Sequence, residues 1–277
     1  MPFLPLNPGG IPKNHSIQRG IMPTHPSFPE RLTAGSPLLT AWCGMPDPSV
    51  AGILAREVFD AVVMDMQHGS IDFAAALQAV PLIAAAGKPA LVRIPVGDFA
   101  SASRFLDAGV SGVIAPMINT IEDARRFASF MKFPPVGERS WGAYGALSLS
   151  GLEPGEYLQR ANHLTVSFAM VETREALAII DDILAVPGID GIFIGPSDLS
   201  IALSGGKGLD PTSAEVEKAL DHALARVKAA GKVAAIYAVS GGRAAQLVRK
   251  GFHMVSIGSD ISMLRAGAAA ALAAARA

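Results

Sequence analysis

The sequence predicts a single (β/α)8 TIM barrel. Eight short apolar runs recur along it, each the length of a buried parallel strand. Between consecutive runs lie segments whose apolar residues repeat at helical spacing, and strand and helix alternating eight times is the pattern of a closed barrel. Several helical segments also end on glycine just before the next run, at Gly87, Gly109, Gly188, Gly231 and Gly251, as a helix turning back into a strand requires.

The strand-like runs are, in order, LLTAWCG from Leu38, AVVMDMQ from Ala61, PALVRIP from Pro89, GVIAPM from Gly112, TVSFAMVE from Thr165, GIFIGP from Gly191, VAAIYAV from Val233 and HMVSIGS from His253. The helical segments between them are SVAGILAREVF, DFAAALQAVPLIAAAG, DFASASRFLDAG, TIEDARRFASFMKF, TREALAIIDDILAVPG, TSAEVEKALDHALARVKAAG and GGRAAQLVRKG. One connection breaks the rhythm. From Phe133 to Leu164 it is far longer than the rest, and its Arg139, Ser140, Trp141 and Tyr144 suit an oligomer contact better than a site on a neighbour. The tail SMLRAGAAAALAAARA has high helix propensity and few large side chains, so it is expected to pack closely on a partner. Residues 1–29 are rich in Pro and Gly and read as an extended arm with no catalytic role; residues 30–277 read as the barrel domain.

Composition narrows the function. With 23 Lys and Arg against 24 Asp and Glu, and no basic cluster, the chain lacks a nucleic-acid surface, so small neutral or acidic metabolites are the expected partners. A single cysteine, Cys43, excludes an intrachain disulfide and reads as a buried strand residue. No apolar run is long enough to span a bilayer, and prolines interrupt the N-terminus where a signal peptide needs a continuous helical core. The expected compartment is therefore the cytoplasm, with no membrane partner.

The chemistry is expected at the carboxyl ends of the strands. Asp65 and His68 follow the second run, Arg93 the third, Glu172 the fifth and Asp198 the sixth, so all five should meet at one mouth. Glu172 and Asp198, on neighbouring strands, form an oxygen-donor pair suited to a hard divalent cation with positions left for water and a chelating substrate. Mg2+ or Mn2+ fits best, with Co2+ or Zn2+ able to substitute. No lysine stands at these strand ends for a Schiff base; the nearest, Lys207, lies in the loop SGGKG, which lacks phosphate-loop spacing. His163, His222 and His253 lack metal-ligand spacing.

From Leu38 to Leu264 the chain resembles the HpcH/HpaI class II pyruvate aldolases of the phosphoenolpyruvate/pyruvate barrel superfamily. The resemblance rests on DMQHG (65–69), LVRIP (91–95), LDAGVSGVIAPM (106–117), PPVGERS, VETREA (171–176) and GIDGIFIGPSDLS (188–200). It implies that Glu172 and Asp198 bind the metal, that Arg93 stabilises the enolate and that His68 serves the base. It further implies that Ser197 meets substrate through its backbone, with Gly195, Pro196, Asp198 and Met170 completing the substrate-binding set. The family pairs its histidine with the residue matching Asp107. Here Asp107 lies near the end of the third helix, away from the mouth, so the pairing is expected to cross to another subunit. The resemblance also implies a homohexamer with exchanged C-terminal helices.

Two departures stand out. Gln67 occupies a position where many members carry Glu, which removes a charge beside the base, and Met170 replaces a substrate-contacting Gln of one subgroup. Both predict an altered fit around the substrate with metal binding kept. The function expected is therefore a lyase that reversibly joins or cleaves pyruvate, or a close 2-oxo acid, and an aldehyde. Two rivals are a CoA-thioester lyase of the citrate or malyl-CoA type, against which the lack of a basic CoA-sized extension counts, and a non-catalytic metabolite-binding barrel in which Gln67 and Met170 mark decay. Each residue also has an ordinary reading. Arg93 and Asp65 can be a structural ion pair, Glu172 a helix start, Asp198 a turn cap and Tyr237 a filler of the barrel top.

Overall fold

Strand β1 (Leu38–Cys43) pairs in parallel with both β2 (Ala61–Asp65) and β8 (Met254–Ile257), which closes the sheet on itself. Between these lie β3 (Ala90–Arg93), β4 (Gly112–Ala115), β5 (Val166–Val171), β6 (Gly191–Ile194) and β7 (Val233–Ala238), each hydrogen-bonded to its sequence neighbours in one closed barrel. The structure is a computed structural model and describes residues 27–277. The predicted arm therefore lies outside the described residues except at its end, where Phe28–Thr33 forms a short helix with Phe28 and Leu32 buried.

Alternation along the strands sorts the core into two layers. Leu38, Trp42, Ala61, Val63, Leu91, Ile114, Phe168, Met170, Phe193 and Ala235 fill the barrel interior, joined from below by Phe28 and Leu32. Thr40 and Ser256 meet there through a hydrogen bond of 2.8 Å, so the interior polar groups are paired. The residues of opposite parity, among them Ala41, Val62, Val92 and Ile192, pack against the surrounding helices. This parity positions the site. Continuing the inward set by one step reaches Asp65, Arg93, Glu172 and Tyr237, all at the same end of the barrel.

The helices begin and end for local reasons. Asp47, Asp72, Asp98, Thr120, Thr173, Ser213, Ser240 and Ser259 each accept a backbone N–H in the first turn of the helix that follows. Gly109 and Gly251 close theirs in the left-handed conformation at φ of 99° and 111°. The segment expected as one helix after Glu172 is two, Arg174–Ala178 and Ile180–Ala185, because Ile179 at φ −113° leaves helical geometry and bends the chain. Among the described residues no helix is long and apolar enough to cross a membrane.

The long connection holds helices Tyr144–Ser150 and Pro154–Leu164. Its Arg139 does not offer charge to a neighbour. The side chain is turned fully inward, lies over the Phe133 ring at 4.5 Å and donates from Nη2 to Asp107 Oδ1 at 2.7 Å. Trp141 and Tyr144 do remain exposed, at 48% and 81%. The last helix, Asp260–Arg276, buries only Asp260 and leaves Ile261, Leu264 and Leu272 uncovered.

Candidate active site

A cavity of about 320 Å3 opens at the carboxyl ends of the strands. Its polar wall is built on β2 and β3. Asp65 and Arg93 are their last residues and register partners, so both side chains point into the mouth from adjacent positions. Arg93 grips the carboxylate with both arms of its fork, Nε to Oδ1 at 2.8 Å and Nη2 to Oδ2 at 2.7 Å. Trp42 Nε1 donates to Asp65 Oδ2 at 3.2 Å, and its ring lies 4.9 Å from the guanidinium carbon. The backbone N–H groups of Gln67 and His68 complete the set on Asp65 Oδ1 at 3.1 and 3.3 Å. Burial alone would raise the Asp65 carboxyl; the Arg93 guanidinium and these N–H groups outweigh it and hold the carboxyl below its ordinary range. His68 stands exposed beside them and lines the cavity.

Glu172 follows β5 and is buried to 1% exposure. Its Oε1 accepts the Met117 N–H at 2.8 Å, a donor brought into line by the left-handed φ of 54° at Met117, while Oε2 is buried with no hydrogen-bond partner. Oε2 faces Gly195, where a β-carbon would lie only 2.3 Å away, so only glycine fits against the carboxylate at this point. Burial pushes the Glu172 carboxyl up to about 7; the Met117 N–H and Arg93 oppose this, and the nearby charge of Asp198 adds to it. Asp198 is exposed in the first turn of helix Pro196–Leu203 and lines the cavity with Gly195, Pro196 and Ser197. Among the described residues no cluster of three or more His, Cys, Asp or Glu side chains forms. A cation here would rest on two carboxylates, leaving its remaining positions to water and substrate, and the orphaned Oε2 is the donor such an ion would satisfy.

Met170, Phe193, Trp42 and Tyr237 supply the apolar wall. Trp42 packs tilted on Phe193 at 5.6 Å and edge-on to Tyr237 at 5.4 Å. The Tyr237 phenol is shifted up by burial and by the Asp65 carboxylate, with Arg93 opposing, so it stays a protonated donor.

A family model, HpcH/HpaI aldolase/citrate lyase, matches residues 39–266. The chain belongs to the HpcH/HpaI aldolase/citrate lyase family. It is 42% identical over 243 residues to the hydroxypyruvate/pyruvate aldolase of Rhizorhabdus wittichii, covering 88% of this chain and 96% of that one. It is 31% identical to a 4-hydroxy-2-oxo-heptane-1,7-dioate aldolase of Salmonella dublin over 88% of this chain and 92% of the relative. The crystal structure of an HpcH/HpaI aldolase/citrate lyase family protein from Burkholderia cenocepacia superposes with a TM-score of 0.80 at 30% identity, covering 90% of this chain and 98% of that one.

Within this HpcH/HpaI barrel, the predicted residues Asp65, His68, Arg93, Met170, Gly195, Pro196, Ser197 and Asp198 line one cavity, and Glu172 sits directly behind Gly195. No lysine lines it. Asp107 stands elsewhere, held by Arg139, with its Oδ2 taking no hydrogen bond among the described residues and Gly142 packed against it. Among the lining residues that the sequence did not single out, Trp42 and Asp260 carry polar groups into the site. Trp42 reads in sequence as one more apolar strand residue, and Asp260 hides at the start of an Ala-rich tail; their only signal is position, at the ends of the first and eighth runs.

Proposed function

We propose that this chain is a divalent-cation-dependent aldolase that reversibly cleaves the C3–C4 bond of a 4-hydroxy-2-oxo acid, releasing an aldehyde and pyruvate or a close relative such as hydroxypyruvate. The observation that carries this reading is the buried, unpartnered Glu172 Oε2 beside Asp198, under a cavity whose other wall holds a fixed Arg93. The names of the relatives, hydroxypyruvate/pyruvate aldolase and 4-hydroxy-2-oxo-heptane-1,7-dioate aldolase, support the same chemistry.

Glu172 and Asp198 would hold the cation, Mg2+ or Mn2+ by donor type. When bound, it supplies a Lewis acid for the 2-oxo acid's carboxylate and ketone oxygens. The protein's own groups do the rest. Arg93, locked by Asp65, directs positive charge at the ketone oxygen, where negative charge grows as the C3–C4 electrons move into the enolate. His68, exposed at the mouth, receives by way of water the C4 hydroxyl proton that must leave as the aldehyde carbonyl forms. The same relay returns a proton to C3 of the enolate to give pyruvate, the step whose reverse is read by methyl exchange. The backbone N–H of Ser197, in the first turn of helix Pro196–Leu203, donates to the substrate carboxylate, with Gly195 and Pro196 shaping the turn that presents it. Met170, Phe193 and Trp42 keep bulk water from the enolate.

The uncovered Ile261, Leu264 and Leu272 on the last helix, with Trp141 and Tyr144, support a homo-oligomer. Asp107 then acts on a neighbouring subunit, presenting its unengaged Oδ2. A monomer fully active at high dilution would remove that assignment.

The test is NMR of pyruvate methyl exchange in D2O, comparing chelator-treated enzyme, enzyme with Mg2+ or Mn2+, and Glu172→Ala. Exchange that requires both cation and Glu172 supports the reading. Cation binding without exchange sinks pyruvate as the donor.

A further inference from the structure

We propose that Asp260 is a positioning residue that holds His68 in place through the turn at Gly44. Asp260 is the first residue of the last helix, is 4% exposed and lines the cavity. A carboxylate in that place reads first as a ligand for substrate, but its oxygens are already occupied. Oδ2 accepts from Gly44 N–H at 2.9 Å, Met45 N–H at 2.8 Å and the Cys43 thiol at 3.2 Å, and Oδ1 accepts from Ile261 N–H at 2.8 Å. It is a fastener, joining the end of β1 to the start of the last helix.

What it fastens leads to His68. The Gly44 carbonyl accepts the Ser70 N–H at 2.7 Å. Gly44 and Gly69 pack backbone to backbone, so that a β-carbon on Gly69 would lie 2.7 Å from Gly44 Cα, and one on Gly44 would lie 3.2 Å from Gly69 Cα. The His68 loop is thus pinned at its near end by the Gln67 and His68 N–H bonds to Asp65, and at its far end against Gly44. Gly44 has no side chain with which to hold its own place, and Asp260 supplies that hold. The other working groups are held independently, Arg93 by Asp65 and Glu172 by Met117. Loss of Asp260 therefore moves the imidazole and leaves charge stabilisation and cation binding where they were.

The proposal rests on the aldolase reading with His68 in the proton transfer. The experiment measures Mn2+-supported pyruvate methyl exchange in D2O, with kcat, KM for pyruvate and the Mn2+ dissociation constant, for the full chain, Asp260→Ala, Asp260→Asn, Gly44→Ala and His68→Ala. Misplacing a proton-transfer group by about an ångström is expected to lower kcat about 10- to 100-fold in Asp260→Ala. KM and the Mn2+ constant should stay within about twofold, since neither depends on His68. Asp260→Asn, whose amide oxygen still accepts from Gly44 and Met45, should recover most of kcat, which separates loss of the acceptor from loss of the charge. Gly44→Ala should lower kcat in the same direction by pushing on Gly69. A folded Asp260→Ala with wild-type kcat, or one that loses cation affinity as much as kcat, overturns the proposal. If Asp260→Ala does not fold, unchanged kcat in Gly44→Ala overturns it instead. A wild-type chain without exchange sinks the aldolase reading and this proposal together, whereas exchange that persists in wild type and Asp260→Ala alike sinks the proposal alone.

Discussion

Arg93 and Asp65 meet across the β2–β3 pair in a two-pronged ion pair of 2.8 and 2.7 Å, with both side chains under a tenth exposed. The pair is at once the ordinary structural reading and part of the proposed mechanism, because a guanidinium aimed at an enolate must first be held still. Asp65→Ala leaves a buried cation unpaired, which costs about 3–5 kcal/mol in comparable pairs. The expected outcome is a urea midpoint lowered accordingly, with pyruvate exchange lost even where the fold survives. An Asp65→Ala protein as stable as wild type would show that water reaches Arg93 freely.

The raised Glu172 carboxyl gives a pH dependence of definite sign. Its pKa is about 7 folded against 4.5 as the ordinary value, so between these the native state holds a proton that the unfolded chain has lost. Stability of the chelator-treated protein from this group is therefore greatest below about 4.5, falls as pH rises, and levels off above about 7. The span corresponds to on the order of 3 kcal/mol. Thermal melts across this window should show that fall in wild type, a flatter profile in Glu172→Gln, and recovery of wild type when Mn2+ is added near neutrality. Equal slopes in wild type and Glu172→Gln would mean the carboxyl is ionised in the folded protein throughout.

Gly195 offers a test of the carboxylate pair that leaves its charges in place. At φ −93° its backbone accommodates any residue, but a β-carbon would lie 2.3 Å from Glu172 Oε2 and 3.1 Å from Met170 Cε. Gly195→Ala should weaken Mn2+ binding at least about tenfold by displacing Oε2, a small energetic change of about 1.4 kcal/mol in affinity. Its far-ultraviolet circular dichroism should match wild type. Unchanged Mn2+ affinity, measured by electron paramagnetic resonance, would place the cation elsewhere.

The barrel was legible because parallel strands buried on both faces leave continuous apolar runs, and all eight runs proved to be strands. Asp65, Arg93 and Glu172 were legible for a related reason, since a charge at the end of such a run interrupts it visibly. Arg139 was misread because sequence shows a charged residue in a long connection and not the Phe133 ring and Asp107 carboxylate that draw it inward. Asp260 was missed because its partners are backbone N–H groups at Gly44 and Met45, more than two hundred residues away in the chain. The break at Ile179 was hidden as well, because its β-branched side chain fits the helical apolar pattern on both sides.

The opposite end of the barrel provides the control that separates stability from catalysis. Lys132 is 2% exposed, and its Nζ donates to the carbonyls of Asn162 and Thr165 at 2.9 and 3.0 Å and to Asp190 Oδ2 at 2.7 Å. Asp190 in turn accepts the N–H of Ser167 at 2.8 Å, so this one ammonium ties the starts of β5 and β6 together. Residues at this end of a barrel serve its stability, while those at the strand carboxyl ends serve its chemistry. Lys132→Met keeps the stem's packing but strands two carbonyls and a carboxylate. Because Asp190 is partly exposed and recovers some hydration, the loss should fall at about 2–3 kcal/mol in urea unfolding. Below the unfolding transition, kcat and KM for pyruvate exchange should equal those of wild type. A change in either would mean that the bottom of the barrel couples to the mouth through β5, whose far end leads into Glu172.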